Sequence, residues 1–361
     1  MTANPPTKVD AKIDAKNKVQ FLDSLIIANS LTLFNGGLHA KHLTLLAPAQ
    51  INSSGNNTAI IGPTTVHKSY YLKEGQTKLL SFPFFNQPSL LDFKKSIRIT
   101  GKGGSSSGFD SAEHEIPSAQ FLDSSRGNTA LLSFNPFSKM DSGFWEQNRA
   151  IKIWLYPNDA GFINETPFIE TKKHIAWIHV SIDGIPQHGP LEINFPEHPA
   201  ARYYLTGNPY PAAIDMRKIS SSTNIGKYYW YWDAGLGATG NYTASAFRFP
   251  KIVQKLEGYI IKNNAGAAGY LFYEERTKVN HSDTPDTISY KKEYAHISLQ
   301  LVQENILLDR LEIIGIDSAS SRFEKWDAEK INENKMAIYS ISRDSDIEVL
   351  FRNSIKFDNL F

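Results

Sequence analysis

An all-β chain of antiparallel β-sandwich or jelly-roll domains, with a short solenoid-like segment near the N-terminus, is what this sequence predicts. Three observations carry that prediction. Apolar residues alternate with polar ones at period two, as in Leu31/Leu33, Leu38/Ala40 and Leu43/Leu45. Gly, Asn and Pro turn signals recur every ~8–12 residues, the spacing of short sandwich strands. Helical periodicity is nearly absent, while aromatic residues, which suit pleated surfaces, reach 12% of the chain.

In chain order, residues 1–20 are rich in Lys, Asp, Ala and Pro and read as a flexible tail. Residues 21–65 hold short apolar runs divided by Asn and Gly and read as rungs of a small solenoid-like segment. Residues 66–200 read as one β-sandwich and residues 201–361 as a second, with the chain crossing between them near His198–Ala201. Within the first, strands are expected at Val66–Leu72, Thr77–Phe84, Lys94–Thr100, Asn128–Phe134, Arg149–Pro157, His174–Asp183 and Pro190–Phe195. Residues 101–118 read as an exposed Ser/Gly loop. Its Gly-Lys-Gly-Gly lacks the order of a phosphate loop, and no helix pattern follows. Within the second, Gly258–Asn263 and Gly269–Val279 are expected to form a hairpin. Strands then follow at His296–Gln303 and Asp309–Ile316, and Arg322–Glu333 is the best helix candidate.

Composition excludes several classes of function. Charges nearly cancel, 38 Lys+Arg against 37 Asp+Glu, so no basic surplus points to nucleic acid or anionic lipid. The absence of cysteine removes disulfides, thiolate metal sites and a Cys nucleophile. There is no apolar run of ~18 residues for a membrane span, and the polar N-terminus lacks the apolar core of a signal peptide.

The chain is organised around Tyr203–Tyr242. An apolar strand breaks at Gly207-Asn208-Pro209-Tyr210-Pro211, and the run Tyr228-Tyr229-Trp230-Tyr231-Trp232 then ends at Asp233. The prolines fix φ and stop the ladder, and Asn bonds its own backbone, so the break reads first as a corner. Its functional alternative is a ligand-lining loop with Asn208 and Asp215 as polar anchors. In the aromatic run, strand alternation places Tyr228, Trp230 and Trp232 on one face and Tyr229 and Tyr231 on the other. Both faces covered is the base-rate reading. An exposed Tyr229/Tyr231 face would instead suit stacking on sugars.

These segments resemble the β-rich module of Bacteroidota type IX secretion system cargo, large secreted and cell-surface proteins, in the region preceding the C-terminal sorting domain. The resemblance rests on Thr65-Val66-His67-Lys68, Leu80-Ser81-Phe82-Pro83, and Leu205-Thr206-Gly207-Asn208-Pro209-Tyr210-Pro211 with Ile214-Asp215. It extends through Tyr231-Trp232-Asp233, Gly258-Tyr259-Ile260-Ile261-Lys262, Glu275-Arg276, and Phe323–Ile331 with Ile338-Tyr339-Ser340. These cover residues 21–350 in order, more loosely from 85 to 175. His67-Lys68 stands where the family has Glu-Arg, which puts the ion pair of that Glu in doubt. The resemblance implies a secreted or cell-surface location, with the chain an excised piece or a divergent member.

No histidine stands in H-x-x-x-H or H-E-x-x-H order. Asp309, Asp317, Asp327 and Glu329 are the weak candidates for a structural calcium ion, without EF-hand spacing. There is no G-x-S-x-G, and Glu192 and Glu115 are unconvincing as a hydrolytic pair. The expectation is a non-enzymatic structural or adhesive module without a cofactor. Its partners would be cell-surface or extracellular matrix components, or further copies of itself joined through edge strands. The alternative is a carbohydrate-binding module using the aromatic strand.

Overall fold

The computed structural model describes residues 10–14, 19–35, 37–46, 49–53, 59–61, 63–72, 76–85, 90–94, 96–110, 118–124, 132, 134–137, 148–155, 176–236, 240–248, 251–279, 296–303, 306–314, 328–329, 340–342 and 345–352. The chain is all-β, as its alternation predicts; a short helix, Leu90–Lys94, stands where a strand was expected to begin.

The N-terminal strands are β1 (Asp10–Asp14), β2 (Val19–Ile27), β3 (Ser30–Asn35), β4 (Gly37–Leu45), β5 (Gln50–Ser53), β6 (Ala59–Ile61) and β7 (Thr64–Leu72). Up to β6 the chain alternates between two parallel sheets, one ordered β1-β3-β5 and one in which β4 lies between β2 and both β6 and β7. Asp10 faces Ser30, and Ser30 faces Gln50. Leu31, Leu33, Leu38, Ala40, Leu43 and Leu45 are all buried, which is the inward set that the period-two pattern picks out. Backbone pairing begins at Asp10, within the stretch expected to be a tail. A boundary at 65/66 would cut β7, which pairs with β4 on one side and with β12 (Ala176–Gly184) on the other.

Next, β8 (Gln76–Leu80), β9 (Ala119–Leu122), β10 (Phe134–Pro136) and β11 (Ile151–Leu155) form an antiparallel sheet ordered β10-β9-β11-β8. Leu80, Ile151 and Ile153 on one face join the core of the N-terminal sheets, and Leu79 on the other face joins a second core. Between β8 and β9, the Gly101–Gly108 loop winds into a 3-10 turn at Gly104–Ser107. Its amides are turned inward: Gly104 N donates to Gly101 O, Ser106 N to Gly103 O and Gly108 N to Ser105 O. These bonds close the segment that begins with Gly-Lys-Gly-Gly into a turn.

The third layer is a sheet ordered β14-β20-β17-β18, in which β14 is Arg202–Gly207, β17 Ile225–Asp233, β18 Asn241–Ala246 and β20 Gly258–Asn263. Against its far face lie two small sheets. One is β13 (Leu191–Phe195), β21 (Gly269–Tyr273) and β16 (Ser220–Ser221); the other is β19 (Ile252–Val253), β15 (Ala213–Asp215) and β22 (Lys278–Val279). Because β13 pairs with β21, the chain passes between the halves before His198.

The expected hairpin of β20 and β21 does not form. β20 pairs with β14 and β17, and β21 with β13 and β16, so the turn between them carries the chain from one layer to the next. Asn224 and Asn263 fix that crossing: Asn224 Nδ2 donates to Asn263 Oδ1, Asn264 O and Ala267 O, and Asn263 Nδ2 donates to Pro196 O and Ala267 O.

At the C-terminus, β23 (His296–Gln303), β24 (Ile306–Ile314), β25 (Ala328–Glu329), β26 (Ser340–Ser342) and β27 (Ser345–Arg352) form a last sheet. Ala328 and Glu329, inside the expected helix, pair with β27 as a strand. Other positions of that expected helix lie outside the described residues.

Candidate functional site

The Gly207–Pro211 break is a corner, and Asn208 is its hub. Asn208 is fully buried; its side-chain amide donates to Ala212 O at 2.6 Å, Gln254 O at 3.1 Å and Val253 O at 3.3 Å. Its Oδ1 accepts from Tyr210 N at 2.9 Å, the local Asx bond that Asn makes in turns. Ser81 Oγ donates to Asn208 O from the neighbouring layer. These bonds hold the angle of the corner, and Asn208 has no accessible surface.

Gly207 and Gly258 face each other across β14 and β20. A Cβ on Gly207 would sit 2.4 Å from Ser81 Cβ, and one on Gly258 would sit 2.8 Å from Ala150 Cβ. Both positions need glycine for close layer contact, not for an unusual φ.

Asp215 closes the corner. Its carboxylate is buried, caps the 3-10 turn Met216–Lys218 through Arg217 N, and takes the Arg217 guanidinium at 2.6–3.2 Å. Burial pushes this carboxyl up, but the hydrogen bonds and charge of Arg217 outweigh burial and hold it below the usual aspartate range.

The aromatic strand β17 is central in its sheet, between β18 and β20. Tyr228 and Trp230 enter the core shared with β8, and Tyr229 enters the opposite core with Tyr204, Tyr259 and Tyr273. At Tyr229 the covered reading of this strand holds, and the alternative of an exposed Tyr229/Tyr231 face is corrected: Tyr229 is 0% exposed and packed edge-on against Tyr259 at 5.6 Å. A ring with no accessible surface cannot stack on a sugar. Tyr231 is half-buried, with the Lys251 ammonium 4.3 Å from its ring centre. Thus Tyr229, Asn208 and Asp215 have structural jobs, and Tyr231 alone of the four reaches the surface.

Among the described residues no group of three or more His, Asp or Glu side chains is placed to hold a metal ion. Asp309 is fully buried on β24 opposite Leu301. Asp327 lies outside the described residues, as do Asp317 and Glu115, whereas Glu192 is exposed on β13.

Sequence reasoning missed three lysines. Lys68, in the position that raised doubt about an ion pair, reaches Glu257 at 2.7 Å. Lys255 Nζ donates to Leu46 O at 2.9 Å and Ala49 O at 2.6 Å, tying the third layer to the N-terminal sheets. Lys278, with a side chain 3% exposed, pairs with Glu275 at 2.7 Å and lies 4.4 Å from the Tyr210 ring centre. Burial lowers the Lys278 pKa, and Glu275 opposes that shift. Only the inward position of Lys68 within an alternating strand hinted at any of these.

Compared with known protein families, curated proteins and solved structures, the chain gives no match. Among the described residues no helix is long and apolar enough to cross a membrane.

Proposed function

We propose that this chain is a non-enzymatic structural or adhesive module of a secreted or cell-surface protein, of the type carried by Bacteroidota type IX secretion cargo. The observation that carries the reading is how the Tyr203–Tyr242 stretch spends its polar groups. Asn208 and Asp215 give their hydrogen bonds to the corner itself, and β17 buries aromatic rings in two separate cores. A segment so committed fixes the stacking of layers, which suits a spacer or a presenting scaffold better than a chemical site.

Protease shaving of intact cells that carry the natural gene tests location. Release of fragments of this chain is expected, and full protection within the cell would overturn the surface reading. Adhesion is tested by binding of the immobilised protein to extracellular matrix components. Light scattering over a concentration series tests self-assembly through edge strands, and a strict monomer at every concentration would remove that part.

A further inference from the structure

β1 lies at the edge of the sheet ordered β1-β3-β5 and pairs in parallel with β3. Among the described residues no strand lies against its other edge. An edge of that kind presents backbone N–H and C=O groups that a further strand can take.

The charges of this sheet are confined to that edge. β3 (SLTLFN) and β5 (QINS) carry none, whereas β1 runs Asp10-Ala11-Lys12-Ile13-Asp14. Charged residues hold every second position, and their signs alternate. Their register partners on β3 are neutral: Asp10 stands beside Ser30, Lys12 beside Thr32 and Asp14 beside Asn35. Charge on an edge strand ordinarily keeps other strands away. Alternating signs make that exclusion selective, because like charges directly opposite destabilise a strand pair and opposite charges stabilise it.

We propose that β1 pairs with β1 of a second copy of this chain, antiparallel and about a two-fold axis, to give a closed dimer. β3 takes one edge of β1, so two copies meet by the same edge. A continuous sheet that keeps both inner faces on one side then runs antiparallel. Centred on Ala11, the pairing sets Asp10 of each copy opposite Lys12 of the other; centred on Ile13, it sets Lys12 opposite Asp14. Centred on Lys12, it would set Asp10 opposite Asp14 and Lys12 opposite Lys12, so the charges select the register. This pairing rests on the self-assembly through edge strands proposed above, and it names the strand and the direction.

Sedimentation equilibrium of the full chain over a concentration series, at about 50 mM and about 500 mM salt, tests it. A monomer–dimer equilibrium is expected. Lys12→Asp, which makes every charge of β1 negative, should weaken it about tenfold or more, a loss of about 1.4 kcal/mol. Asp10→Lys combined with Asp14→Lys should weaken it as much, and an equimolar mixture of the two variants should associate again. A dimer that Lys12→Asp leaves unchanged overturns this pairing, while self-assembly through another edge stands. A monomer at every concentration overturns both. Growth past the dimer, or dimerisation only once residues 1–9 are removed, also overturns the pairing. Should Lys12→Asp not fold, an affinity of the unmodified chain that does not fall with salt overturns it, because salt screens exposed opposite charges.

Discussion

Lys68 and Glu257, 189 residues apart in the chain, meet at 2.7 Å and join β7 to the start of β20. Burial pushes the Glu257 carboxyl up; the Lys68 ammonium beside it, helped by the Gln254 N–H, outweighs burial and holds it below the usual glutamate range. A lowered carboxylate pKa contributes stability that is complete above the unfolded value of about 4.3 and is lost as pH falls through the folded value. Glu257→Gln should therefore flatten the acid limb of the stability–pH curve. The side chain of Glu257 is 38% exposed, so the loss at neutral pH should be about 1–3 kcal/mol, less than for a dry pair. The double variant Lys68→Met/Glu257→Met should recover part of it. Urea melts from pH 3 to 8 check this, and an unchanged acid limb in Glu257→Gln would contradict it.

Asn208→Ala removes the donors that serve Ala212 O, Gln254 O and Val253 O in a site without accessible surface. Leaving those acceptors unsatisfied should cost about 2–4 kcal/mol by chemical denaturation. Gly207→Ala should be at least as severe, because its Cβ meets Ser81 Cβ at 2.4 Å and Glu257 O at 2.7 Å. Adding Ser81→Gly relieves only the side-chain contact, so rescue should be partial. Full rescue would show that the Glu257 backbone yields.

The corner and the aromatic strand were legible because local rules govern them. Proline and Asn chemistry stops β14 after Gly207, and alternation sorts the β17 rings into two sets. Alternation cannot say whether both sets are covered, which depends on layers contributed by β8 and β21. The same limit explains the missed crossing after Asn263. The turn residues are those of a hairpin, but β20 is already flanked by β14 and β17. Long-range pairs such as Lys68–Glu257 and the Lys255 bonds leave no local pattern, because only the assembled layers bring them together.

Arg217 holds the Asp215 carboxylate against the cost of its burial. Arg217→Ala removes that counterweight, so the Asp215 pKa should rise, and acid unfolding should begin at higher pH. The sign follows from linkage: the stabilisation exists above the unfolded pKa of about 3.9 and disappears as pH falls through the folded value, which moves up in the variant. Carboxyl carbon chemical shifts across a pH titration measure it directly. An unchanged Asp215 pKa would mean that the 3-10 cap alone sustains the anion.

Tyr229 and Tyr231 are two residues apart on one face of β17, yet their substitutions should differ sharply. Tyr229→Ala deletes a fully buried ring packed against Phe247 at 5.0 Å and Tyr259 at 5.6 Å, and should cost about 3–5 kcal/mol. Tyr231→Ala removes a half-buried ring and its contact with Lys251, and should cost about 1 kcal/mol. Paired urea melts separate the two. If Tyr231→Ala proved as costly as Tyr229→Ala, the outer end of β17 would be core rather than surface. If Tyr231→Ala left stability unchanged but removed binding to immobilised glycans, a surface role for this one ring would follow. That role would use a single aromatic beside a cation, because Tyr229 lies beneath the surface and cannot extend the platform.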